Sequence, residues 1–290
     1  MAKHYKHALL LFTKPPLPGL VKTRLTKEKG GIFSPEQAAL FFHNSLFDVT
    51  ELCCEAMRQL EEEDSKARAV DPNLDTHEYD FFFSTTPAAN VAVLEQLYRD
   101  SGTWPRPFTF LEDEGATFDD HFDNAFQQIF ARGYDSVLSV GGDIPMLPLS
   151  HVKRAFRYLQ KLLRESPEKG GLVQAPCQEC GVSVIGWTKD TPMDHQGVYY
   201  NNNGRPALQA YVDKCEPEQI PLYSMEPVAD IDDGQDLAHA ITLARSAAYG
   251  HGFQPDFYVP KRFLGWIDAM GLRVSTPPNE DRDSREGIDK

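Results

Sequence analysis

With 290 residues, 41% of them hydrophobic and 25% charged, the chain can bury one large core or two small ones. Its formal net charge of −14 argues against a general nucleic-acid binder, whose footprint is basic, and no apolar run approaches the ~20 residues of a membrane helix. Five sparse cysteines give no disulfide framework and fit a reducing cytoplasm, and the apolar stretch 8–12 is too short for a secretory signal.

The charge is unevenly spread. Up to Gly30 the chain carries seven basic residues (Lys3, Lys6, Lys14, Lys22, Arg24, Lys27 and Lys29) against the single acid Glu28. Such an island on an acidic protein suits a small anion, and on charge alone a solvated surface patch explains it equally well.

In chain order, residues 7–13 read as a first strand, followed by a proline- and glycine-rich loop over 14–31. Ser34-Pro35-Glu36-Gln37 starts a helix: Ser34 caps, Pro35 suits the first turn and Gln37 completes a capping box. Ala38, Phe41, Phe42, Leu46, Val49 and Leu52 then keep an apolar face at helical spacing. Residues 61–75 show no periodicity and read as a charged linker. Strand 79–84, helix 88–98, strand 108–111, helix 118–131 and strand 136–140 follow, the last running into Gly141-Gly142-Asp143. Beyond it come helix 150–164, strands 171–175 and 181–187, a polar loop over 188–203, helix 207–214, strand 220–225 and helix 235–248. We expect one domain over 1–250, an extension over 251–274 packing on it, and a charged, disordered tail over 275–290.

Strands alternating with helices predict an α/β fold with a mostly parallel sheet covered on both faces. Ligands of such sheets sit beyond the carboxyl ends of the strands. Three segments therefore attract attention. In Phe12-Thr13-Lys14-Pro15-Pro16-Leu17-Pro18-Gly19-Leu20-Val21-Lys22-Thr23-Arg24, prolines stiffen a loop that is neither a Walker loop nor a dinucleotide fingerprint. Gly19 permits close backbone approach, and Lys14, Lys22 and Arg24 could converge on phosphate oxygens. In Gly141-Gly142-Asp143 the glycines leave room beside one carboxylate at the top of the sheet, suited to magnesium or to capping a turn. In Asp230-Ile231-Asp232-Asp233-Gly234-Gln235-Asp236 four carboxylates need a cation or a helix N-terminus to compensate them.

These stretches, with GATFDDHFDNAF at 115–126, resemble in content and order a glycosyltransferase-like family of the nucleotide-diphospho-sugar transferase superfamily. Some of its members are called radical-SAM or selenodomain-associated transferases, and the chain is also similar to the guanylyltransferases of coenzyme F420 assembly. The resemblance spans roughly residues 8–247. It implies a GT-A-like, Rossmann-like fold, a nucleotide on the first half of the sheet and a Mg²⁺ or Mn²⁺ ion. Phe12, Lys14, Gly19, Lys22, Thr23, Arg24 and Gly142 would contact the nucleotide, Asp143 and Asp232 would hold the metal with Asp230 a companion, and Lys22, Arg24 and Asp143 would act in catalysis. Two positions depart from the relatives: Glu179-Cys180-Gly181 stands where they tend to have Asp-Gly-Gly, and Met146 where they often carry an acid.

Cys177-x-x-Cys180 has the spacing of half a zinc site, and no second pair completes it. Cys53 and Cys54 read as core filler, as do the Phe-rich segments; His121 and His195 form no metal-binding pattern, and residues 199–203 could read an acceptor or simply turn. The expected function is a metal-dependent transferase using a nucleotide sugar or a nucleoside triphosphate and an unspecified acceptor, with no nucleic acid or membrane partner. A nucleotidyltransferase making a nucleotide-linked cofactor intermediate is the near alternative, and a nucleotide-binding protein without turnover the distant one. A dinucleotide-dependent oxidoreductase is disfavoured by the missing glycine fingerprint.

Overall fold

The first strand, β1 (His4–Phe12), sets the layout: Leu9 and Leu11 point to one face of the sheet and Ala8 and Leu10 to the other, and all four are fully buried. The computed structural model describes residues 2–254 and 258–275. Its sheet also contains β2 (Thr76–Thr85), β3 (Phe108–Glu112), β4 (Ser136–Val140), β5 (Leu172–Pro176), β6 (Val182–Thr188) and β7 (Leu222–Ser224), in the order β3-β2-β1-β4-β6-β5-β7. β1 runs parallel to β2 and β4, β2 to β3, and β5 to β7; β6 is antiparallel to both its neighbours. The sheet is thus mixed and mostly parallel.

Helices α1 (Pro35–Val70), α2 (Ala88–Asp100), α4 (Leu149–Glu165), α6 (Gly234–Gly250) and α7 (Lys261–Ala269) pack their apolar residues into the core on the Leu9 face. Helices α3 (Phe118–Ala131) and α5 (Ala207–Glu218) cover the Leu10 face. The chain passes from β1 to β2 on one side, yet β4 pairs on the other, so the loops leaving β1 and β4 diverge and open a crevice.

The capping box at Ser34 forms: its hydroxyl accepts from Gln37 N at 3.3 Å, and Gln37 Oε1 accepts from Ser34 N at 2.9 Å. The expected linker over 61–75 is instead helical as far as Val70. Charge rather than apolar periodicity holds it: Glu62 pairs with Arg58 and Lys66 one turn away, Glu63 and Asp64 pair with Arg157 of α4, and Asp64 accepts from Tyr79 Oη at 2.9 Å. Two 3-10 turns, Thr23–Leu25 and Lys27–Lys29, lie inside the expected loop. Beyond α6, α7 docks Phe263 and Trp266 on Phe41 of α1, with ring centroids 5.8 and 5.3 Å apart. Apart from Ser275, the expected disordered tail lies outside the described residues. Among the described residues no helix is long and apolar enough to cross a membrane.

Candidate functional site

The loop after β1 is anchored by its apolar members. Val21 and Leu25 are buried, and Phe33 N donates to Leu25 O at 3.1 Å. Between these anchors Lys22 adopts a left-handed conformation (φ 48°, ψ 38°), which costs a non-glycine residue roughly 1–3 kcal/mol and persists where the surroundings enforce it. Here the enforcement is ionic. Lys22 Nζ lies 2.6 Å from Asp143 Oδ2 and 2.8 Å from Asp232 Oδ1, and its side chain is 7% exposed. Arg24 Nη1 reaches the other oxygen of Asp232 at 3.1 Å from a largely exposed position.

Asp143 owes its place to the end of β4. Gly141 N donates to Ser183 O at 2.9 Å, which extends the pairing with the β6 side by one residue. Gly142 is packed so closely that a Cβ would stand 2.8 Å from Leu46 Cδ1, and its carbonyl accepts from Ser45 Oγ at 2.9 Å. The acidic stretch after β7 divides its labour. Asp233 caps α6, and Asp236 completes the box while accepting from Asp232 N at 3.0 Å. Gln178 fixes Asp230 by bonding both its N–H and its carbonyl. Asp230 and Asp232 are thereby left facing the crevice.

Burial alone would lower the Lys22 pKa, but Asp143 and Asp232 outweigh it and the ammonium ends above its ordinary value. Burial pushes Asp232 up, Lys22 and Arg24 pull it down further, and it settles below the usual carboxylate range. Asp230 is pushed up to about 6, by burial and by the neighbouring charges of Asp143 and Asp232.

The crevice is a cavity of about 700 Å³. Lys22, Asp143, Asp230 and Asp232 line one part of it, and Phe12, Phe118, Asp113 and His121 another. Asp113, buried behind β3, accepts from Ser84 Oγ at 2.7 Å and stands 2.8 Å from His121 Nδ1; burial raises its pKa against the pull of those two neighbours. The loop over 194–200 is tied to α3: Asp119 accepts from the backbone N–H groups of Val198, Tyr199 and Tyr200, and Asp123 accepts from His195 N and Nδ1. Tyr199 and Tyr200 consequently line the cavity.

Of the residues singled out in the sequence, Phe12, Lys14, Lys22, Gly142, Asp143, Asp230 and Asp232 line the cavity. Arg24 joins through Asp232. Gly19 (φ 77°) lies exposed in the loop, and neither it nor Thr23 is among the lining residues. The departing turn is a 3-10 turn, Gln178–Cys180, with Glu179 and Cys180 both left-handed. Cys177 and Cys180 are free thiols. Sequence reading missed Asp113 and Ser84, which carry no local motif; a polar residue just past an apolar strand was the available signal.

Residues 73–202 match the family described as "Uncharacterized protein conserved in bacteria (DUF2064)". A crystal structure named as a "putative nucleotide-diphospho-sugar transferase", from Desulfovibrio desulfuricans G20, aligns over 93% of this chain and 97% of its own, with a TM-score of 0.63 and 20% identity. The chain shares the fold of that structure. At that identity the likeness speaks for fold alone. A cytidylyltransferase from Leptospira borgpetersenii serovar Hardjo-bovis (11% identity, 95% of this chain and 100% of that one, TM-score 0.44) and a CMP:2-keto-3-deoxy-manno-octonic acid synthetase complexed with CTP (8%, 84% and 99%, TM-score 0.41) are too distant in shape to bear on this chain. No curated protein matches the sequence.

The loops after β1 and β4 frame the crevice and bring Lys22 to Asp143. Among the described residues no three His, Cys, Asp or Glu side chains stand in a metal-holding cluster; the gap between Asp143 and Asp232 is spanned by Lys22. The donor set nonetheless fits a hard divalent cation: all three groups are carboxylates that line one cavity.

Proposed function

We propose that the protein is a transferase that binds a nucleoside triphosphate across this cavity and passes its nucleotidyl group to a phosphorylated acceptor. The observation that carries this reading is the contact of the buried Lys22 with Asp143 and Asp232, all three lining a cavity of about 700 Å³. Lys14, Lys22 and Arg24 from one loop offer more positive charge than a single phosphate requires. An acceptor phosphate oxygen attacks the α-phosphorus, the bond from that phosphorus to the β-phosphate oxygen breaks, and pyrophosphate leaves. The three cations neutralise charge gathering on the departing oxygens. Asp143, with Asp232 and Asp230, would hold a Mg²⁺ or Mn²⁺ ion, which supplies further neutralisation and orients the phosphates. The carboxylate oxygens that would hold such an ion are the ones that Lys22 Nζ now contacts, so Lys22 and the ion would share Asp143 and Asp232.

Glycosyl transfer from a nucleotide sugar is the second reading, favoured by one feature: Asp119 holds the Tyr199–Tyr200 backbone against the cavity, where aromatic rings can cover a sugar face. The deciding experiment is product release with Mg²⁺ or Mn²⁺ across phosphorylated acceptors. Pyrophosphate from a triphosphate supports the first reading, and nucleoside diphosphate from a nucleotide sugar the second. Nucleotide-dependent thermal shifts with neither product would mark a binding protein without turnover, and no shift with any nucleotide would sink all three.

A further inference from the structure

The segment that carries Asp230 runs along β5. β7 pairs with β5 in parallel as far as Gln174 and Ser224. Beyond that pair, Met225 N donates to Gln174 O and Val228 N to Pro176 O, both at 2.8 Å. The β5 backbone then turns away: Cys177 N donates to Gly181 O at 2.9 Å and Gly181 N to Gln178 O at 3.1 Å, which closes the hairpin to β6. The Gln178 side chain continues the pairing in its place. Its Oε1 accepts from Asp230 N at 3.0 Å, and its Nε2 donates to Asp230 O at 3.2 Å. One side-chain amide thus bonds both polar atoms of the Asp230 backbone, as a neighbouring strand would.

The same hairpin reaches the other carboxylate loop, since Ser183 O of β6 accepts from Gly141 N at 2.9 Å. It stands between Asp143 and Asp230, which come from distant parts of the chain. Asp232 is held by other means: its N–H donates to Asp236 Oδ2 at 3.0 Å, and its carboxylate meets Lys22 and Arg24. Gln178 Nε2 lies 3.3 Å from the other oxygen of Asp236, so Asp232 keeps its bonds whether or not Gln178 is present. Asp230 has like charges beside it instead, because Asp143 and Asp232 line the same part of the cavity. Repulsion turns an unheld carboxylate away, and the two bonds from Gln178 resist that turn.

We propose that Gln178 is a positioning residue for the divalent cation, holding Asp230 through its backbone beside Asp143 and Asp232. The inference rests on the metal part of the reading above and adds the residue that keeps the third carboxylate in place. The role needs a donor and an acceptor on one group at the end of a two-methylene stem. Met has that length and neither group, and Asn carries the amide on a stem one methylene shorter.

The test is titration of the full chain with MnCl₂, free Mn²⁺ being read by electron paramagnetic resonance. Wild type, Gln178→Met, Asp230→Asn and the double variant form a cycle. Gln178→Met should weaken Mn²⁺ binding about tenfold, the lower end of what loss of a ligand-orienting partner costs. In the Asp230→Asn background the same substitution should change affinity about twofold or less, a coupling that general loosening of the hairpin would not produce. Gln178→Asn should behave as Gln178→Met does, and it carries the test should the Met variant fail to fold. Mn²⁺ affinity unmoved by both substitutions, or lowered equally with and without the Asp230 carboxylate, overturns this inference and leaves the metal reading standing. Wild type that takes up no Mn²⁺ overturns both.

Discussion

Lys22 Nζ and Asp143 Oδ2 meet at 2.6 Å across 121 positions of sequence, with the lysine backbone in a left-handed conformation that side chains ordinarily avoid. Replacing Lys22 by Met removes the charge while keeping most of the stem. Under the proposed function, nucleotide affinity should fall about 10- to 100-fold, the scale of a charge-assisted hydrogen bond. Mn²⁺ should bind the variant more tightly than wild type, because its competitor for Asp143 and Asp232 is gone. Titration of each ligand separately checks both; parallel losses would contradict the competition.

Much of this arrangement was legible in the sequence. Apolar strands ending in a proline-rich basic loop and in Gly141-Gly142-Asp143 located β1, β4 and their loops, and the Ser34 box located the start of α1. The helical 61–70 segment was hidden because its partners, Arg157 on α4 and Tyr79 on β2, are distant in sequence and ionic or polar rather than apolar. Antiparallel β6 was equally hidden, since an apolar run carries no mark of direction. Asp113 and His121 escaped notice as a pair because they meet only once β3 and α3 are placed side by side.

Asp143→Asn tests the metal assignment. The amide preserves shape and one acceptor oxygen but lacks the negative charge a hard cation requires. The metal-dependent part of any nucleotide thermal shift should vanish, with the variant's own melting temperature within a few degrees of wild type. A metal response that survives would remove Asp143 from the set of ligands.

Gly142→Ala should be destabilising without removing any polar group. The new Cβ would meet Leu46 Cδ1 at 2.8 Å, and Leu46 is fully buried in α1 and cannot swing aside freely. Overpacking of this kind costs about 1–3 kcal/mol. Because Asp143 is the next residue, nucleotide binding should weaken as well. Denaturant midpoints with and without nucleotide separate the two effects.

Asp119 is 1% exposed and accepts from three consecutive backbone N–H groups, those of Val198, Tyr199 and Tyr200. In Asp119→Ala those donors lose their acceptor, and the loop over 194–200 should exchange its amide hydrogens at least tenfold faster. The proposed reaction should show a raised KM for the acceptor, with donor affinity changed about twofold or less. Equal losses for donor and acceptor would mean that this loop does not serve the acceptor.

Asp48 of α1 gives a pH dependence remote from the cavity. It is fully buried and accepts from Phe263 N at 2.8 Å and Arg262 N at 3.1 Å, satisfying amides that the first turn of α7 leaves open. Burial nevertheless pushes its pKa from 3.8 up to about 6, against the pull of those amides and of the Arg262 guanidinium. Between about pH 4 and 6 the folded chain therefore binds more proton at this site than the unfolded chain does. By linkage its contribution to stability falls as pH rises through that window and is flat above it. The change is of the order of 1–3 kcal/mol. Asp48→Asn holds the neutral form at every pH, so wild-type stability relative to this variant should decline from pH 4 to 6 and then level off, measured as denaturant midpoints from pH 4 to 8. A difference that grows with pH instead would show that the hydrogen bonds from Arg262 and Phe263 outweigh burial.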